Sequence, residues 1–425
     1  MTDATKINGA PQSTRMPMAI IGGMFFIFGF VTWLNGPLIT FVKLAFTLDD
    51  VSAFLVPMAF YMSYFFLSLP AAFILRRIGM KKGMALALAV MAVGAALFGQ
   101  CVDMRVFPGA LTALFIIGAG LSILQTASNP YISILGPIDS AAQRIAFMGI
   151  CNKLAGALAP VAFAFVVMRG VSGLADRVAA ASPAARIVLL DAFAHKVYLP
   201  YMAMAALLAV LAVATLLSPL PEVTDKANAD DAPKSGSLFA HPNLWLGFLC
   251  IFLYVGVEVM AGDAIGTYGR GFGLSLDVTK YFTSGTLIAM LAGYAVGLAL
   301  IPRFISQARY LAVSAVLGVI LTLCAYLTRG YVSVGFVAAL GFANAMMWPA
   351  IFPLGIKGLG RHTETGSAIL VMGIAGGAVI PQIFAAMKSV YDFQLVFAAL
   401  MVPSYLYILL FGLFAARRDT RTDRV

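Results

Sequence analysis

The chain has 425 residues, of which 61% are hydrophobic and 11% charged, and its formal net charge is +10. A soluble domain carries about 25% charged residues, so this composition excludes an ordinary soluble globular protein and requires lipid as solvent. Nucleic-acid binding is excluded as well, because the basic residues are spread through short loops and form no patch interleaved with aromatic side chains.

In chain order, apolar runs occupy residues 17–41, 53–75, 82–101, 107–135, 146–168 and 197–218, then 243–268, 281–302, 309–328, 331–355, 366–387 and 394–416. Each is long enough to cross ~30 Å of hydrocarbon as a helix. The polar stretch Met1 to Arg15 lacks an apolar core, so no cleaved signal peptide is expected. The segment 169–196 is a long loop whose Ala/Arg/Asp mixture suits a short surface helix. The most polar connector contains PEVTDKANADDAPKSGS at 221–237, a linker composition. It divides the chain into a half at 1–218, a cytoplasmic linker at 219–242 and a half at 243–425. The expected fold is an all-α membrane protein of twelve transmembrane helices in two six-helix halves.

An internal repeat supports that division. Met148-Gly149-Ile150 in span five is similar to Met372-Gly373-Ile374 in span eleven, and Gly156-Ala157-Leu158-Ala159-Pro160 to Gly377-Ala378-Val379-Ile380-Pro381. Spans four and ten share an Asn, a Pro and a Leu-Gly exit, with Asn129, Pro130 and Leu135-Gly136 against Asn344, Pro349 and Leu354-Gly355. Parallel repeats of this kind describe the major facilitator architecture. With both termini inside, 17 of the 28 Lys and Arg residues fall on the inner side, Arg76, Arg77, Lys81 and Lys82 among them. Four of the ten outer ones lie in the long 169–196 loop. The positive-inside rule therefore places both ends in the cytoplasm. Cys101, Cys151, Cys250 and Cys324 show no CxxC or Cys/His spacing, so neither disulfides nor a metal site are expected.

Polar residues at membrane depth normally face a cavity or a partner. Span one ends in Thr32-Trp33-Leu34-Asn35-Gly36-Pro37; the Asn before Gly-Pro suggests a break whose freed carbonyls line a cavity. Trp33 either faces the same cavity or belongs to the interfacial aromatic belt. Tyr61 and Tyr64 in span two share a face, as do Gln125 and Asn129 in span four. Pro130 is expected to kink that helix. Asn152 and Lys153 lie well inside span five, where the Lys either pairs with a carboxylate or faces water. Span seven holds Glu258 and Asp263, the candidates for cation coupling, in a glycine-rich stretch expected to be discontinuous. Asn344 and Trp348 in span ten pair an amide with an aromatic face, and Gln382 in span eleven lies within reach of the same cavity. A set rich in Asn, Gln, Tyr and Trp and poor in Arg and His suits a neutral polyhydroxyl ligand. No catalytic or nucleotide-binding motif occurs, so no enzyme and no organic cofactor are expected.

The segments FFIFGFVTWLNGPLI at 25–39, FYMSYFFLSLPAAFILRRIGMKK at 60–82 and LQTASNPYISILGP at 124–137 resemble the fucose–galactose–hexose symporters of the major facilitator superfamily. Arg76 to Lys82 also resembles a degenerate form of the superfamily's inner-loop motif, with basic Arg76 where an acid is usual. The resemblance implies alternating access around a central sugar site. The fucose members carry an Asp where this chain has Gly36 and a Glu where it has Gln125, and those acids serve coupling and binding there. Asn152 matches an Asn of the family, whereas Lys153 is not typical of the fucose members. The chain is closer to the glucose/mannose/galactose and N-acetylglucosamine members. Coupling then runs through Glu258 or Asp263, uses Na⁺, or is absent. The expected function is symport of a neutral hexose or N-acetylhexosamine with H⁺ or Na⁺ by a monomer in a bacterial-type inner membrane. The alternatives are an efflux carrier with a more aromatic, less amide-rich cavity, a receptor on a carrier scaffold, and a membrane enzyme.

Overall fold

A computed structural model describes residues 15–134, 141–169, 171, 173–220, 238–301 and 303–422. Within them twelve helical spans are long and apolar enough to cross a membrane, and there is no strand among the described residues. In the first half they are Met16–Ala45, Asp50–Ile78, Met80–Asp103, Phe107–Asn129, Arg144–Val166 and Pro183–Leu217. In the second they are Pro242–Gly262, Leu276–Leu300, Gln307–Leu327, Gly330–Ile356, Thr363–Met387 and Phe393–Arg417. Large apolar side chains stay exposed on the outside of the bundle, Leu217 at 81% and Val210 at 64%, as lipid contact requires. The linker expected at 219–242 falls mostly on 221–237, outside the described residues.

The loop at 169–196 holds two short helices, Leu174–Ala180 and Pro183–His195, instead of one. The second starts on local chemistry: Ser182 Oγ accepts from the Ala185 amide at 3.4 Å and Pro183 takes the first turn. Span two begins on a similar device. Asp49 accepts from the Ser52 amide at 2.9 Å, and this hydrogen bond holds the exposed Asp49 carboxyl below its ordinary value.

The repeat read from the sequence reappears as packing. Span one packs on five, two on four, and three on four and six. Span seven packs on eleven, eight on ten, and nine on ten and twelve. The one–five and seven–eleven pairs both depend on a glycine. A Cβ on Gly29 would lie 2.0 Å from the Asn152 carbonyl oxygen, and one on Gly376 would lie 1.7 Å from that of Phe252. Backbones this close admit no side chain, a recurrent device where helices must associate without a hydrophobic driving force.

Spans seven, ten and eleven each carry an interruption. Span seven breaks after Gly262 and resumes at Ile265–Gly271, matching the discontinuity expected there. Span ten breaks between Asn344 and Met347, and span eleven passes through a 3₁₀ turn at Gly373–Ala375. Span four continues as helix through Pro130 to Ile134.

The halves meet on both sides of the molecule's centre. On the face that carries the chain ends, Arg76 pairs with Glu364 and donates to Thr365 Oγ1 at 3.1 Å. On the far face, Asp50 pairs with Lys43 of its own half and Lys388 of the other. There, too, Phe54 packs edge-on against Phe384.

Candidate functional site: a cavity between the two halves

Between these two sets of contacts lies a cavity of about 100 Å³. Nine residues anticipated from the sequence line it: Trp33, Tyr61, Tyr64, Gln125, Asn129, Asn152, Lys153, Glu258 and Trp348. They come from spans one, two, four, five, seven and ten, and only the closure of the two halves brings them together.

Trp33 is 2% exposed and is no belt residue. A Cβ on Gly156 of span five would lie 2.4 Å from its ring, and one on Gly262 of span seven 2.5 Å from it. The indole is thus wedged between the halves. Its Nε1 donates to Asn152 Oδ1 at 3.3 Å, and the Lys153 ammonium stands 4.3 Å from its ring centroid. Lys153 Nζ also donates to Glu258 Oε1 at 2.8 Å, with both side chains buried. Of the two alternatives for Lys153, pairing with a carboxylate is the one observed. The pair joins span five to span seven and leaves neither charge alone in a medium where a lone charge is costly.

The amides gather on the first half. Gln125 Nε2 donates to Tyr64 OH at 3.0 Å, and Asn129 lies one turn further along the same face. Opposite them stand Tyr254, Glu258, Tyr294 and Trp348. Tyr254, Tyr294, Phe25, Phe28 and Thr32 were not anticipated. A signal existed for most of them: Tyr254 precedes Glu258 by one turn, and Phe25, Phe28 and Thr32 follow helical spacing toward Trp33. Tyr294 stands alone in span eight and carries no pattern. Thr32 Oγ1 is buried with no hydrogen-bond partner.

Four anticipated residues do not line the cavity. Asn35 turns its Nδ2 back to the Thr32 carbonyl at 3.0 Å. The expected break there amounts to one residue, Leu34, which keeps helical angles of φ −69° and ψ −20°, so no run of freed carbonyls forms. Asn344 Oδ1 accepts from Tyr405 OH at 2.8 Å, which turns its amide into span twelve. Gln382 Nε2 donates to the Val51 carbonyl at 3.1 Å and ties the halves together on the far face.

Asp263 is the fourth. It sits in the break of span seven, 2% exposed, against span one. A Cβ on Gly36 would lie 3.2 Å from Asp263 Oδ1 and 2.6 Å from Thr283 Oγ1 of span eight. Asp263 Oδ2 accepts from Tyr61 OH at 3.2 Å. The Gly36 amide faces the carboxylate, but no hydrogen bond of ordinary geometry reaches Oδ1.

A central cavity lined from both halves of a twelve-span bundle defines a membrane carrier. The chain matches the Major Facilitator Superfamily over residues 21–381, and it belongs to that superfamily. It is 35% identical over 402 residues to a glucose/galactose transporter of Brucella abortus biovar 1 (strain 9-941), covering 93% of this chain and 92% of the relative. It is 30% identical over 389 residues to the L-fucose-proton symporter of Escherichia coli (strain K12), covering 88% and 86%. The crystal structure of the superfamily transporter FucP in the outward conformation superposes with a TM-score of 0.75 at 27% identity, covering 95% of this chain and 99% of that one. The chain is a multi-pass membrane transporter and not an enzyme.

Proposed function

We propose that the protein imports a neutral hexose or N-acetylhexosamine, of the glucose, galactose, mannose and N-acetylglucosamine class, by symport with H⁺ or Na⁺. The observation that carries this reading is the cavity wall itself. Gln125, Asn129 and Asn152 converge on one side, with the Trp33 ring beside them and the Trp348 ring opposite. Amides match the in-plane hydroxyls of a pyranose, and an aromatic face matches its CH-rich side. The glucose/galactose and fucose names of the relatives agree with this chemistry.

Alternating access follows from the two sets of inter-half contacts. Sugar enters when the Asp50–Lys388 and Gln382–Val51 ties open, and leaves when Arg76 releases Glu364. Coupling is assigned to the carboxylates of span seven, Glu258 or Asp263. The protein works as a monomer in a bacterial-type inner membrane with both termini in the cytoplasm, as the Lys and Arg distribution supports. An efflux carrier for apolar solutes is disfavoured, because it would not place three amides in the cavity.

The test is uptake into proteoliposomes of radiolabelled glucose, galactose, mannose, fucose and N-acetylglucosamine under an imposed proton or sodium gradient. Concentrative uptake of one sugar under one gradient is the expected result. No uptake of any of them by folded protein would return the efflux reading.

A further inference from the structure

Span seven carries two buried acids in unlike situations. Glu258 lines the cavity and is bonded to a cation supplied by the chain, Lys153. Asp263 lies outside the cavity wall, has one hydroxyl donor on Oδ2 and none of ordinary geometry on Oδ1. The geometry points to Asp263 as the residue that binds the coupling ion, to that ion being a proton, and to Lys153 as a tethered counter-ion that keeps Glu258 out of the role. This assignment deepens the symport reading and rests on it.

The argument is one of compensation. A buried carboxylate needs a cation, a set of donors or a proton. Glu258 already has its cation. Around Asp263, spans one and eight bring up the Gly36 amide and the Thr283 hydroxyl, and Thr283 Oγ1 donates to the Gly262 carbonyl at 2.8 Å. Span two offers the Tyr61 hydroxyl, with Tyr64 one turn beyond, and the nearest charges are Glu258 on the same span and Lys153 bound to it. No ring of carboxylate, imidazole or thiolate groups that could hold a metal ion is gathered there among the described residues. A proton on Oδ1 needs no such ring and removes the charge when the halves close.

Tyr61 gives the proton a way out. Its hydroxyl donates to Asp263 Oδ2, and the same side chain lines the cavity. Asp263 takes a proton from water when the far face parts. It keeps that proton while the halves are closed; when the opposite face opens, the Tyr61 hydroxyl turns from Oδ2 to donate to a cavity water, and its oxygen accepts the Asp263 proton as its own proton leaves to that water. The carboxylate is then ionised, Tyr61 is unchanged, and one proton has crossed the inter-half seam.

The experiment has two arms on the full chain in proteoliposomes. In the first, glucose and galactose are followed under a proton gradient. Asp263→Asn should reduce the accumulation ratio to one while sugar–sugar counterflow continues; accumulation at the wild-type ratio would overturn the assignment. The second arm needs no sugar. Infrared difference spectra between acid and alkaline pH should show a buried carboxylic-acid C=O band in the wild type. That band should be lost in Asp263→Asn and shifted in frequency in Tyr61→Phe, which removes its hydrogen-bond donor and checks the result against misfolding of the Asn variant. A band unaffected by both substitutions, or no band at all, would overturn the assignment. If the wild type moved neither sugar, that would count against the substrate reading alone, and the infrared arm would still decide the proton site.

Discussion

The first half presents Gln125, Asn129 and Asn152 to the cavity, whereas the second presents Tyr254, Tyr294, Trp348 and Glu258. Both halves are built on the same set of helix pairs, with a glycine at the close approach of each one–five or seven–eleven pair. The repeat has therefore kept its packing and changed its chemistry. Asn129 and Asn344 are counterparts in the repeat, yet one faces the cavity and the other serves span twelve. The lesson is a division of labour: rings come from both walls, but the amides stand on one and the carboxylate on the other, held by a lysine from across the seam.

The most damaging way to break this division is to remove one charge of the bridge between the walls. Glu258→Gln leaves the Lys153 ammonium buried without its partner, and stability should fall by about 3–5 kcal/mol, read as thermal unfolding in detergent. Lys153→Gln combined with Glu258→Gln should recover most of that loss. A double variant as unstable as the single one would mean that the ion pair is not what Glu258 contributes. Next comes the amide wall. Gln125→Ala or Asn152→Ala should weaken sugar binding by about 10- to 100-fold, the worth of one or two buried hydrogen bonds, with the fold intact by size-exclusion chromatography. Wild-type affinity in either variant, measured by calorimetry with glucose and galactose, would remove that residue from the site. A smaller effect is expected on the opposite wall, where Trp348→Leu removes an aromatic face worth about 0.5–1.5 kcal/mol and should cost about tenfold or less in affinity. The smallest effect sharpens the contrast between counterparts. Asn344→Leu should leave affinity where it is and lower stability by about 1 kcal/mol through the lost Tyr405 bond.

Much of this was legible in the sequence where the signal is local. Twelve apolar runs mark the spans, and the i, i+4 pair Gln125/Asn129 and the i, i+3 pair Tyr61/Tyr64 fix common faces through helix geometry alone. What the sequence hides is which face meets which. An amide at membrane depth satisfies itself equally well on a ligand, on a neighbouring helix or on its own backbone: Gln125 and Asn344 each bond a tyrosine of another span, the first inside the cavity and the second outside it, and Asn35 bonds its own backbone. The Lys153–Glu258 contact spans 105 residues and the halves themselves, so no local pattern announces it. The wedge of Trp33 between Gly156 and Gly262 is likewise visible only after the helices are placed.

Gly36 leaves a notch in span one, and Asp263 of span seven occupies it. The resemblance to the fucose members implies an acid at that position of their span-one motif. A side chain at 36 and a carboxylate at 263 compete for one volume, so the two arrangements exclude each other by sterics before electrostatics enters. The volume thus admits a side chain from only one half at a time: filling position 36 requires the Asp263 carboxyl to give way across the seam.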